Sequence, residues 1–482
     1  MENRALKRTF TYAASLCCAL ALYTAVFAQK RQVHILATND MHAQIEVFPQ
    51  LAALIDSLRT IDPSLLVFSA GDNRTGNPLN DKFSIPGYPM VALMNQTGFN
   101  ASAIGNHEFD VRSLGPLTGL SNFRYICANA FPDDTTGIRI VPTQVFDVEG
   151  LKVGVVGAIQ LSPQGIPSTH PDNIRGIRFT PPLETVSQYE KFSRQCDVTI
   201  LLSHVGYEDD RRIAEACPWL DLIIGGHTHT QLKGGERSGG VPITQNKNKF
   251  GNVTYITLSV DSGHVVDCQT EYINIKKYPK KDSLILAMVQ HFSDNAEFRR
   301  VLATAETPFE VREELGCMIC DALIDEFNAD IAVENPGGVR IDSHPIGEIT
   351  VLDILEMDPF DNNAVVLTLN GKELLDMMLS YCHNTLLSFP YVGGMKCEIT
   401  TEKDNPKKIK SVRLLTLDGK KLDMKKKYRV VTNNYITATS QIPEGSAQPT
   451  NNLTTDLIMN YLQRKGSVSY QGVRRLKVVN GK

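Results

Sequence analysis

Ala101-Ser102-Ala103-Ile104-Gly105-Asn106-His107-Glu108-Phe109-Asp110 is a short apolar run that stops at a glycine and then delivers an amide, an imidazole and two carboxylates. A run too short for a helix and bounded by a turn residue reads as a buried strand with polar cargo at its carboxyl end. The same order recurs on both sides of it. Val33 to Ala37 leads into Asp40-Met41-His42, and Leu65 to Ser69 into Gly71-Asp72-Asn73. Val198 to Leu202 leads into Ser203-His204, and Leu222 to Ile224 into Gly225-Gly226-His227-Thr228-His229. Lys152 to Ala158 is a further candidate strand, and Gln50 to Leu58 and Pro89 to Gln96 are helix-like, the latter with Gly98 after its end. This alternation from Arg31 to about Ile275 predicts α/β layering. In such a domain the carboxyl ends of parallel strands share one edge, so five polar groups far apart in sequence converge on one crevice.

Five of the 11 histidines fall in these groups, which separates them from lone structural histidines. Asp, His and Asn ligands without cysteine suit zinc, manganese, iron or cobalt rather than an all-oxygen calcium or magnesium cage. Asp40, His42, Asp72, Asn106, His204, His227 and His229 are too many for one four-coordinate ion but suit two ions about 3.5 to 4 Å apart that share a carboxylate. Asp72 is the expected bridge. Two divalent ions against two carboxylates leave positive charge for a phosphate dianion and lower the pKa of bound water toward ~7, so the expected reaction is phosphate-ester hydrolysis. His107 and Asp110 stand three residues apart, within reach on a helical turn. Asp110 can fix the tautomer of His107 and favour its charged form, which makes the pair a candidate acid for the leaving group.

The 482-residue chain, 42% hydrophobic and 21% charged, is long enough for two cores and ordinary for a globular protein. Arg4, Lys7 and Arg8 followed by the apolar Tyr12 to Phe27 read as a signal peptide, with Val26-Phe27-Ala28 as the cleavage site and residues 1–28 removed. The protein is thus expected outside the cytoplasm, periplasmic or extracellular in a bacterium. The acceptor pattern Asn73-Arg74-Thr75 beside Asp72 fits that better than a eukaryotic secretory route, because a glycan there would obstruct the crevice. Removal of the leader moves the net charge from −4 to −6, since Arg4, Lys7 and Arg8 leave with Glu2. That balance argues against nucleic acid as partner and favours a small substrate; no membrane span is expected after cleavage, and no protein partner. Cys317 and Cys320 form a lone CxxC within a helix-like run, Glu313 to Phe327, and read as buried free thiols.

A charged stretch, Lys276 to Asp282, reads as a linker and Ser283 to Val301 as a helix leading into a second, α+β unit. The expected division is residues 30–275, a connecting segment 276–303, and residues 304–482. In the second unit Ile331-Ala332-Val333 precedes the turn Asn335-Pro336-Gly337-Gly338, and Asn363 to Leu369, Lys410 to Leu417 and Tyr428 to Thr432 are strand-like.

The five strand-end motifs, from Thr38-Asn39-Asp40-Met41-His42 through Leu202-Ser203-His204-Val205-Gly206-Tyr207 to Ile223–Thr230, together resemble the calcineurin-like metallophosphoesterases. Their order and flanks are similar to those of the exported 5′-nucleotidase family. The resemblance implies a two-sheet sandwich flanked by helices, joined by a helical linker to a smaller α+β domain that binds the nucleoside and moves to bring it to the metals. It assigns Asp40, His42, Asp72 and His229 to one metal ion, Asp72, Asn106, His204 and His227 to the other, and the catalytic dyad to His107 and Asp110. Asn335-Pro336-Gly337-Gly338-Val339-Arg340 looks like the family's substrate turn, with Asn335, Gly337, Gly338 and Arg340 facing substrate, and Phe360 looks like its base-stacking ring. The family's second stacking loop, Gly-Gly-Asp-Gly-aromatic, is missing after Tyr435, which leaves Tyr391 or Tyr435 as the substitute.

The expected function is hydrolysis of 5′-nucleotides to nucleosides and phosphate by metal-activated water. The altered second unit keeps two alternatives open, 2′,3′-cyclic-nucleotide or 3′-nucleotide hydrolysis and nucleotide-sugar hydrolysis. A binding module that has lost turnover is the remaining one, and the complete ligand set argues against it.

Overall fold

The computed structural model describes residues 31–110, 113–384, 389–403 and 409–480. The leader, Met1 to Ala28, lies outside the described residues.

The first half is a sandwich of two six-stranded sheets. In one, Arg31–Thr38, Leu66–Ser69, Ala101–Ala103 and Arg124–Ile126 run parallel, with Val253–Asp261 antiparallel beside the first of them and His264–Ile273 at the edge. In the other, Leu151–Ile159, Val198–His204 and Leu222–Ile224 are parallel neighbours. Along Arg31–Thr38, Val33, Ile35 and Ala37 point between the sheets, where they meet Val153, Ile200 and Leu202. Leu36 faces the other way, onto the helices Phe48–Ile61 and Tyr88–Thr97. Leu201 faces the helix Tyr207–Ala216 on the far side of the second sheet. Strands buried on both faces carry apolar residues without polar alternation, which is why these runs read as continuous.

Ser283–Ser293 is a helix whose N-cap Asp282 accepts the N–H of Ile285 at 2.8 Å. Ile285 and Val289 pack into the helix layer of the first half, and Tyr278 donates its hydroxyl to Ser57 at 3.1 Å, so the charged connector is fastened to the first half. The helix expected to reach Val301 stops eight residues short. Asn295 captures the N–H of Glu297 in a local turn, and β-branched Val301 opens the strand Val301–Ala305, which pairs with Gly347–Thr350.

The second half is built on a five-stranded sheet with Ile331–Glu334, Lys427–Asn433 and Asn363–Asn370 at its centre. Helix Arg312–Phe327 covers one face and helix Gly371–Asn384 the other. Cys317 and Cys320 are buried and free, as their place inside the first of these helices implies. The halves meet through few polar contacts. Lys82 pairs with Asp361, and Lys249 Nζ donates to the carbonyl of Arg340 at 3.1 Å.

Candidate metal centre and adjoining cavity

Strand ends supply every proposed ligand, and the loops that follow them are held in conformations side chains rarely adopt. Asp40, His42, Asp72, His227 and His229 all have left-handed backbone, with φ between 45° and 75°. Each such residue costs on the order of 1 to 3 kcal/mol and persists only where neighbours over-determine it. Here a backbone ladder does so: the N–H groups of Asp40, His42 and Ala43 bond to the carbonyls of Gly71, Asp72 and Asn73 at 3.0, 3.0 and 2.7 Å. A buried carboxylate ties in the next loop. Glu108, 1% exposed, accepts the N–H groups of Asp72, Asn73 and Gly105 at 2.9, 2.8 and 2.7 Å. Gly105 must lack a side chain, because a Cβ there would fall 2.2 Å from Oδ1 of Asp72.

His42 and His204 present the same face. Nδ1 of His42 donates to the carbonyl of Thr75 at 3.0 Å, and Nδ1 of His204 to that of Ala70 at 2.7 Å. Each ring is thereby fixed with Nε2 directed into the crevice, the orientation a metal-ligating imidazole needs. Nε2 of His204 is buried with no hydrogen-bond partner, although Asp72 Oδ2 lies 3.1 Å away. Asp40, His42 and His229 bring donor atoms within 4.8 Å of one another, and so do Asp72, His204 and His227. Oδ1 of Asn106 lies 3.0 Å from Nδ1 of His227. Asp72 also groups with His42 and His107, which makes it the central member.

The electrostatics favour positive charge at this point. Burial alone would raise the Asp72 carboxyl, but His204 and His107 outweigh it and hold Asp72 well below the usual carboxylate range. Burial opposes a charge on His204, yet Asp72 wins and its pKa is pushed up to about 10. His227 goes the other way, to about 4, through burial and then the His204 charge. A divalent cation between Asp72, His204 and His227 would satisfy the orphaned Nε2 and the carboxylate together, so these residues fit the ion.

His107 lies beside the donors with Nδ1 2.5 Å from Asp110 Oδ2, and its main-chain N–H donates to Asp72 Oδ1 at 2.8 Å. Burial would lower the imidazole's pKa, but Asp110 and Asp72 raise it. Its ring stacks on Phe360, centroids 6.0 Å apart. The guanidinium of Arg340 reaches 3.4 Å from both nitrogens of His42 and lies over Phe360.

A cavity of about 470 Å³ opens from His107, Asn106 and His227 into the space between the halves. Asn335, Gly337, Arg340 and Phe360 line it. Gly338 does not; it lies behind the wall, where a Cβ would meet Glu334 at 2.7 Å. Of the two tyrosines expected to stand in for the missing stacking loop, Tyr435 lines the cavity. Tyr391 is buried elsewhere, against Gly316 of the helix Arg312–Phe327. Tyr381, Asn362, Ala438 to Gln441 and much of the segment Gln160–Asn173 add to the wall. The sequence gives no signal for these, since nothing in a loop says which cavity it closes. Nor does it assign Glu108 a role, because a glutamate beside a histidine carries no sign of burial.

Residues 33–231 match the calcineurin-like phosphoesterase family, and residues 291–441 match the 5′-nucleotidase C-terminal domain. A 5′-nucleotidase of Vibrio cholerae is 29% identical over 71% of this chain and 74% of its own. A 5′-nucleotidase of Diplobatis ommata is 27% identical over 88% and 84%. The crystal structure of a 5′-nucleotidase precursor from Thermus thermophilus superposes with a TM-score of 0.82 at 24% identity, covering 94% of this chain and 100% of that one, and so shares the two-part fold.

Proposed function

Because the chain belongs to the 5′-nucleotidase family, a calcineurin-like phosphoesterase domain followed by a 5′-nucleotidase C-terminal domain and hence a metal-dependent phosphoester hydrolase, we propose that it hydrolyses 5′-nucleotides to nucleosides and phosphate at two divalent ions. Asp40, His42, Asp72 and His229 would hold one ion, and Asp72, Asn106, His204 and His227 the other, each being zinc, manganese, iron or cobalt. When bound, such ions supply hydroxide at neutral pH and neutralise charge on the phosphoryl group.

The chain's own residues do the rest. Arg340 presents a planar donor fork at the donor cluster, suited to phosphoryl oxygens. His107, whose charged form Asp110 favours, is placed to give a proton to the departing 5′-oxygen. Phe360 and Tyr435 wall the cavity where a nucleobase would lie, with the amide of buried Asn362 beside them. The observation that carries this reading is that the cavity with its aromatic walls opens directly onto His107 and the donors. Export through the Met1–Ala28 leader belongs to the same proposal; among the described residues no helix is long and apolar enough to cross a membrane.

The test is hydrolysis by the metal-loaded protein of nucleoside 5′-monophosphates, 2′,3′-cyclic nucleotides and nucleotide sugars, with Asp72→Asn as control. Preference for the monophosphates is expected. Cleavage of cyclic nucleotides or nucleotide sugars with adenosine monophosphate untouched would refute the assignment.

A further inference from the structure

The segment between the strand Leu151–Ile159 and the buried Ile174 forms a strap along one wall of the cavity. It starts beside the metal donors, where the N–H of Gln160 bonds to the carbonyl of His204 at 2.9 Å. One side of the strap is cavity wall, through Gln160, Gln164, Ile166 and Ser168 among others. The same segment grips the catalytic turn at three points, through residues that also line the cavity. The carbonyl of Ser168 accepts from Nδ2 of Asn106 at 3.2 Å. The hydroxyl of Thr169, itself 5% exposed, lies 3.4 Å from both the carbonyl of Phe109 and Oδ1 of Asp110. Nδ2 of Asn173 donates to the carbonyl of Asp110 at 2.7 Å.

Asp110 caps a single turn of 3-10 helix, Asn106–Phe109, and nothing in so short an element fixes the plane of its carboxylate. With His107 on Oδ2 and the Thr169 hydroxyl at Oδ1, that plane is set from both sides. Resting on the nucleotidase reading, we propose that the strap is a positioning device, with Thr169 and Asn173 as its working residues. It aims the His107–Asp110 dyad at the leaving oxygen and at the same time forms the wall on which the leaving group packs. In the step it serves, water's oxygen bonds to phosphorus and sheds one proton to solvent, the bond from phosphorus to the leaving oxygen breaks with its electron pair staying on that oxygen, and the Nε2 proton of His107 passes to it. The imidazole is left neutral and regains its proton from solvent. A leaving group that needs this proton depends on the strap; one that departs as a stable anion does not.

The experiment compares adenosine 5′-monophosphate and glycerol phosphate, both alkyl esters, with p-nitrophenyl phosphate, in wild type, Thr169→Val, Thr169→Ser and Asn173→Ala. Thr169→Val keeps the shape and removes the hydroxyl. Its kcat on the alkyl esters should fall about tenfold with KM changed less than about twofold, the scale of a misaimed catalytic group. Its kcat on p-nitrophenyl phosphate should stay within about twofold, Thr169→Ser should restore the alkyl-ester rate, and Asn173→Ala should show the same selectivity. Equal losses on all three esters, or no loss on the alkyl esters, would overturn the positioning role. Wild type inert toward nucleotides but active on the two simple esters would overturn the nucleotide reading and leave the strap comparison standing.

Discussion

Oδ2 of Asp72 stands 3.1 Å from Nε2 of His204, both side chains buried and the other imidazole nitrogen already committed to the carbonyl of Ala70. Asp72→Asn keeps the volume and removes the charge that this pairing and both proposed ion sites share. Metal content measured by elemental analysis should drop from two ions per chain to about one or fewer, and kcat/KM by about 10³ or more, the scale of losing a principal electrostatic stabiliser. A variant that keeps both metal content and activity would rule out Asp72 as the bridge.

Asp110→Asn and His107→Asn touch the dyad and spare the proposed ligands. Each should lower kcat on nucleotides by about 10² to 10⁴ with metal content intact. Loss of metal together with activity would show instead that His107 and Asp110 themselves serve the ions.

Phe360→Ala and Tyr435→Ala should each raise KM for adenosine monophosphate by about tenfold, the equivalent of one stacked ring, and leave p-nitrophenyl phosphate unaffected. Tyr391→Ala should instead leave KM alone and cost about 3 kcal/mol of stability, because its ring fills the core over Gly316. If Tyr391→Ala alone alters KM, the wall has been assigned to the wrong ring.

Asp210 is fully buried behind the His204 and His227 loops, with Oδ1 bonded to Ser203 and Oδ2 without a partner. Burial, aided by Asp209, raises its pKa to about 7. The folded state thus holds this proton more tightly than the unfolded chain, so the associated stability is present at low pH and is lost as pH rises from the ordinary carboxylate range through about 7. Asp210→Asn should match wild type near pH 4 and exceed it by about 2 kcal/mol or more at pH 8, read as a rising thermal midpoint. An advantage independent of pH would contradict the buried-acid account.

The strand-end motifs were legible because each couples a physical pattern to a chemical one. An apolar run buried on both faces must be followed by a loop, and in Val198–His204 or Leu222–Ile224 that loop begins with the residues that do chemistry. The end of the helix Ser283–Ser293 was less legible, since Asn295 acts through one local hydrogen bond that its neighbours do not announce. The replacement for the missing stacking loop could not be chosen between Tyr391 and Tyr435, because the choice rests on which way a strand, Tyr391–Gly393, and a short helix, Asn434–Thr439, present their side chains toward a cavity made by distant segments. Glu108 and Asn173 were invisible because their partners are chiefly main-chain groups, which every residue offers alike.

The left-handed backbone at Asp40, His42, Asp72, His227 and His229 bears on how such a chain ages under mutation. A gene copy released from catalysis would gain stability from almost any exchange to glycine or asparagine at those positions, so drift would erase them early. Kept together, they are a cost in stability set against the ligand geometry of the crevice.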